Sequence, residues 1–317
     1  MFTIFFKCLD ASSQSTYLNF PNKPVTIVVP FPPGGGTDVA ARLIAQKLST
    51  RWGQSVIVDN KGGAAGMVGS DYVSRSKPDG YTLLVGNIGT FSINPSLYKK
   101  MPYDPNNAFN PIGMIAELPF FLLVSPEFKV NSVKELIAFA KTNPGKLTYA
   151  SSGSGSGPHL AGEIFAKAIN AEMTHIPYKG GGPAAADVMA GHVNMYFSTI
   201  LESIGSVKSN KLKALAVSSL THSPAMQELP TIAESGLPLF EAASWVGLAA
   251  PAGTPNDLIE KISLDLRAVL SEPETKQNLI HQGATPLPMS PLSFKERIDS
   301  DRLKYAKVIK EGNIQID

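Results

Sequence analysis

Cysteine is almost missing from this 317-residue chain: Cys8 stands alone, so no intramolecular disulfide can form. Such scarcity in a long chain leans toward an oxidising compartment. No run approaches the roughly 18 uninterrupted apolar residues that span a bilayer, so no segment reads as transmembrane. Neither sign of charge dominates, since 28 basic and 26 acidic residues leave +2, and no long basic run appears. Nucleic acid is therefore not an expected partner. A complete export leader is lacking as well, because Phe2 to Phe6 is the only apolar stretch at the start and Lys7 ends it. Residues 1–20 read as a leader remnant or a disordered tail outside the fold.

Several catalytic signatures are absent too. Gly36 is followed by Thr37 and Asp38 rather than by the Lys-Ser/Thr of a P-loop, and the glycine spacing is not that of a dinucleotide fold. No serine has the G-x-S-x-G surround of a nucleophile elbow. His159 and Glu163 fall at i, i+4 on one predicted helix, but the second His of a zinc motif is missing. A surface or ligand-facing histidine fits better, and neither a metal, a cofactor nor a catalytic residue is expected.

What is present is organised around Val25 to Leu48, VTIVVPFPPGGGTDVAARLIAQKL. Its first five residues are β-branched, as in a buried strand, and Val39, Leu43, Ile44 and Leu48 share one helical face. Between them Pro30, Pro32 and Pro33 fix φ, and Gly34, Gly35 and Gly36 free it. Such joints often merely turn the chain. They can also let backbone N–H groups and a helix dipole approach an anion, and a branched side chain at Gly35 is then expected to block that approach.

Further strands are expected at Ser55 to Asp59, Tyr81 to Val85, Leu147 to Ala150, Met173 to Pro177, His192 to Ser198 and Ala214 to Ser218, alternating with helical segments. This α/β alternation predicts a mostly parallel sheet covered on both faces, with ligands beyond the strand carboxyl ends. Apolar stretches near 115–124 and 243–250 read as two crossings between domains. Residues 21–118 with 247–317 then form one domain and residues 119–246 the other. From Pro255 onward only helices are expected, packed on the first domain.

Three Gly/Ser loops each join a strand to a helix: Pro33 to Asp38, Ser152 to Gly157, and Tyr178 to Pro183. SSGSGSG by itself is also linker composition, but the apolar LTYA and HLAGEIFAKAI on either side favour a loop capping a helix. Facing one another across a cleft, the three helix N-termini could converge on one anion. Lys179 is the only cation within these loops and reads as a solvated side chain, so Lys179→Ala is expected to weaken binding little. Asp38 and Asp187 lie near helix starts, where a carboxylate orients loop backbone rather than acting as an acid or base.

KPVTIVVPFPPGGGTDVAARLIAQKL, PDGYTLLVGN, YASSGSGSGPHLAGEIF, HIPYKGGGPAAADVMAGHVNMYFS and SWVGLAAPAGTP, in that order, resemble the Bug family, the TctC-like solute-binding receptors of tripartite tricarboxylate transporters. The resemblance covers Pro21 to the C-terminus. It implies a two-domain periplasmic binding protein of type II-like, Venus-flytrap form, monomeric, closing on a small mono- or dicarboxylate, with amino and aromatic acids among the candidates. Delivery to membrane permease subunits and a periplasmic location are implied by kinship alone. A sensor passing ligand occupancy to a membrane signalling protein, or an enzyme with an unrecognised site, is the alternative. By the resemblance the ligand is held by backbone, helix N-termini and waters. Matching positions are Pro33, Gly35, Gly36, Thr37 and Asp38 in the first loop, and Ser152, Ser154, Gly155, Ser156 and His159 in the second. Tyr178, Gly180, Gly181, Pro183 and Asp187 match the third, and Asn87 and Ser198 lie at strand ends facing the cleft. Lys61-Gly62 departs from the family, whose members often carry a proline there.

Overall fold

β-branched residues fill Val25–Val29, which forms strand β1 and is buried except at Thr26. The computed structural model describes residues 19–312 and 314, so the leader reading and Cys8 lie outside the described residues apart from Asn19 and Phe20. Phe20 differs from that reading. Its ring is buried against Trp52 and Tyr81, at 5.7 and 5.0 Å between centroids, and belongs to the core.

The first half continues with α1 (Gly36–Trp52), β2 (Val56–Asn60), α2 (Met67–Ser74), β3 (Thr82–Asn87), a π-helical turn over Gly89–Ile93, α3 (Asn94–Leu97) and β4 (Phe109–Val124). The second half holds α4 (Val133–Thr142), β5 (Thr148–Ser151), α5 (Gly157–Ile169), β6 (Thr174–Pro177), α6 (Gly181–Met189), β7 (Met195–Thr199), α7 (Ile200–Lys208) and β8 (Lys213–Val217). The chain then returns through β9 (Ala243–Pro251), α8 (Asn256–Ser271), α9 (Pro273–His281), β10 (Thr285–Pro286) and α10 (Pro291–Gly312).

β2-β1-β3-β9-β4 run side by side in one part of the sheet, and β4-β7-β5-β6 in the other. β1 is parallel to β2 and β3, and β5 is parallel to β6 and β7. The expected mostly parallel sheet is corrected elsewhere: β9 lies antiparallel to β3, and β4 antiparallel to β7, β8 and β9. The two long strands cause this, because they pass between the halves instead of returning through a helix. β4 leaves β9 after Pro119 and joins β7 at Phe120. Proline supplies no ladder N–H, so the change of partner falls where one donor is already missing.

Alternation then distributes β4 over two cores. Phe120, Leu122 and Val124 pack with α4 and α5, while Phe121 and Leu123 pack with α6 and α7. The first half is covered by α1 and α8 on one face and by α10 on the other. In α8, Leu258, Ile262, Leu266, Val269 and Leu270 form the buried stripe. The expectation of helices alone after Pro255 needs one correction, since Thr285 and Pro286 pair with Glu117 and Ala116 of β4. Two residues are too few to show a period in sequence.

Candidate ligand-binding site

The first loop, between β1 and α1, is held from behind. Asp38 is buried and accepts from the Gly34 N–H at 3.0 Å, Arg42 Nε at 3.0 Å and Asn60 Nδ2 at 2.9 Å. Burial pushes its pKa up, but those donors, Arg42 foremost, outweigh it and hold the carboxyl below the usual aspartate value. Gly34 has φ of 92°, a left-handed conformation that a side chain would strain. Lys61, at the family departure, pairs with Asp59 at 2.9 Å, and Gly62 lies against Pro32.

Three stacked rings stand behind the second loop. His159 lies on His175 at 4.1 Å and His175 on Tyr149 at 4.9 Å between centroids. His159 Nδ1 accepts from the Gly155 N–H at 3.1 Å, and Ser151 Oγ lies 2.6 Å from His175 Nε2. Burial pushes His159 down to about 3 and His175 to about 4, the former helped by its neighbouring imidazole. Both rings are thus neutral at ordinary pH and shape the loop. Ser156 caps α5 by accepting from the His159 N–H at 3.3 Å. In the third loop Tyr178 Oη donates to Asp187 Oδ2 at 2.5 Å. That bond and His192 hold Asp187 below the usual aspartate value.

These loops meet around two cavities that share Phe31 and Ser152 as walls. The inner chamber has a volume of about 30 Å³, room for roughly one water. Gly35, Gly36, Thr37, Asn87, Ser152 and Gly181 line it. The outer cavity, of about 730 Å³, is lined by Pro33, Ser154 and Tyr178 together with the Gly62–Gly66 segment. Lys179 stands at this outer wall, and none of the chamber's lining residues is a lysine, arginine or histidine.

Eight expected positions line neither cavity. Asp38, Ser156, His159 and Asp187 are occupied with loop backbone or a neighbouring side chain, as above. Gly155 packs on Asn94 and Leu97, and Gly180 on Pro32. Pro183 lies within the first turn of α6. Ser198 is wholly buried, and its Oγ is hydrogen-bonded to Ser203 Oγ at the start of α7.

Gly35 itself has room for a methyl group. A Cβ there would meet Gly181 N at 3.8 Å, an ordinary contact, whereas a Cβ on Gly36 would lie 2.3 Å from Thr199 Oγ1. Gly36 is therefore one of the glycines that let the halves approach, as Gly283 does against Ile200.

Sequence reasoning missed Tyr196, Thr199 and Glu202, which bring unsatisfied polar atoms to the inner chamber. Tyr196 Oη, Thr199 Oγ1 and Glu202 Oε1 are buried without a hydrogen-bond partner. Glu202 Oε2 accepts from the Gly36 N–H at 3.4 Å. Burial pushes the Glu202 carboxyl up to about 8, against the pull of the Gly36 N–H and the nearby Tyr196 hydroxyl. A signal did exist: Thr199-x-x-Glu202 has capping-box spacing at the start of α7. Thr199 makes no side-chain cap, and Glu202 reaches across to α1 instead.

Residues 40–314 match the tripartite tricarboxylate transporter family receptor, TctC. Protein BugT of Bordetella pertussis is 34% identical over 298 residues, covering 94% of this chain and 91% of its own. The solved structure of R. palustris Rpa4515 with adipate has a TM-score of 0.91 at 36% identity, over 93% of this chain and 99% of that one. Periplasmic binding protein BugD gives 0.88 at 35% identity, again over 93% and 99%. With the family match running from residue 40 to residue 314, through both halves of the sheet, the chain belongs to the Bug, or TctC-like, receptor family and has its α/β periplasmic-binding-protein fold.

Proposed function

We propose that this receptor captures a small dicarboxylate outside the cytoplasm and hands it, chemically unchanged, to the permease of a tripartite transporter. One carboxylate would seat in the inner chamber and the rest of the ligand would extend into the outer cavity. The observation that carries this reading is the meeting of the α1 and α6 starts with unpaired hydroxyls in a chamber lined by no cationic side chain. Helix N-termini and hydroxyls satisfy a carboxylate without a counter-charge, each charge-assisted hydrogen bond netting about 1.5 to 3 kcal/mol. Adipate in a neighbour of 36% identity supports the ligand class. The family match supports the permease and the periplasmic location.

A thermal-shift screen of carboxylates of about three to nine carbons, amino acids, aromatic acids and sugars tests the reading. A ligand at 100 times its Kd stabilises by about 2.7 kcal/mol, a readily measured shift. Stabilisation by sugars or cations alone would overturn it.

A further inference from the structure

Glu202 is out of place for an anion receptor. It leaves the first turn of α7, spans the gap between the halves and sets its carboxyl where α1 and α6 begin. A Cβ on Gly181 would meet both carboxyl oxygens at 2.5 Å. One oxygen accepts from the Gly36 N–H, while Oε1 is sealed from solvent without a partner, beside the unpaired hydroxyls of Tyr196 and Thr199. An ionised carboxyl here would repel the carboxylate that the same helix starts attract, and two such groups in a dry site share a proton. Un-ionised, the carboxyl carries a hydrogen that it can give to a ligand oxygen entering the chamber.

We propose that Glu202 is the protonated donor of the inner chamber, giving a hydrogen bond to the bound ligand's carboxylate, so that capture from alkaline solution takes one proton from solvent and release returns it. The inference rests on the carboxylate reading above. Tyr196, from β7, is the titratable group facing Glu202, and burial raises its phenol well above the ordinary value, so it stays neutral. On α1 Asp38 is committed to Arg42, Gly34 and Asn60, and on α6 Asp187 to Tyr178 and His192. From β4 the chamber wall is Leu118, its neighbour Glu117 being paired with Arg297. None of these can supply the proton.

With the Glu202 carboxyl titrating at about 8 in the free receptor, affinity stays level below that pH and falls tenfold per unit above it. Calorimetric titration with adipate and malate, at pH about 7 and about 9.5 in two buffers of different ionisation enthalpy, counts the protons. Wild type is expected to take up close to one at the higher pH. Glu202→Gln, whose amide can donate from the same place, is expected to bind without uptake and with a flat pH profile. A flat wild-type profile without uptake, or an unchanged slope in Glu202→Gln, overturns the proposal. Infrared difference spectra of unliganded wild type and Glu202→Gln need no ligand: a protonated-carboxyl band at neutral pH that vanishes in the variant is expected, and its absence refutes the donor role. If that band is present but no carboxylate binds either protein, the carboxylate reading has failed and the protonation state stands.

Discussion

Gly36 works through a missing side chain. Its Cβ position is 2.3 Å from Thr199 Oγ1, so Gly36→Ala is expected to prop the halves apart and weaken ligand binding by more than about tenfold. Gly35→Ala, whose Cβ would make an ordinary 3.8 Å contact with Gly181 N, and Lys179→Ala, at the outer wall, should each stay within about tenfold. Calorimetry on folded variants ranks the three, and a loss confined to Lys179→Ala would contradict recognition by backbone. Asp38 acts at one remove, by fixing the loop. Its pKa is depressed, so its stabilisation is complete above the ordinary aspartate value near 3.8 and is lost as pH falls through the lower folded value. Asp38→Asn should cost about 1 to 3 kcal/mol at neutral pH and flatten that acid limb, read from urea midpoints across pH. The glycine loops could be found in the sequence because closeness of backbone demands glycine. Glu202 shows in the sequence only as the Glu of a capping-box spacing at the start of α7, and its burial arises only when the halves meet.

At the scale of elements, short β-branched runs such as Val25–Val29 announced themselves, since burial on both faces leaves an unbroken apolar string. β4 was harder to see. Pro111, Glu117 and Pro119 break its apolar pattern, yet it continues because its pairing partner changes from β9 to β7 around the last of them. The π-helical turn at Gly89–Ile93 is equally hard to read from sequence, because its buried side chains are met by α10, far away in the chain. α10 is itself fastened by a polar chain, Trp245 Nε1 to Asp301 at 2.7 Å, Asp301 to Arg297 at 2.7 Å and Arg297 to Glu117 at 3.1 Å. Asp301→Ala strands the buried indole N–H and should destabilise by about 1 to 3 kcal/mol. Ligand affinity should not change, because α10 covers the face of the sheet away from α1. A shift in the denaturation midpoint accompanied by an affinity loss would mean that α10 also shapes the cleft.

For the whole molecule, we propose that residues 21–118 with 247–317 and residues 119–246 move as two bodies about the β4 and β9 crossings. The halves meet closely here: Tyr98 Oη donates to the Ser154 carbonyl at 2.9 Å, and Gly36 reaches Glu202. Scattering with and without a saturating carboxylate should show a smaller radius of gyration when bound, and an identical radius counts against a hinge unless the free form is already shut. The cation-free chamber has a kinetic consequence as well. With a net charge of +2 and Lys179 as the one cation lining the outer cavity, the receptor has little long-range field with which to draw in a dianion. Its association rate should therefore hardly respond to ionic strength, where a guanidinium-lined pocket would slow steeply as salt screens it. Stopped-flow traces from dilute buffer to about half-molar salt check this, and they bear on where such a receptor can work: in surroundings whose salinity the cell does not control, uptake would keep its pace.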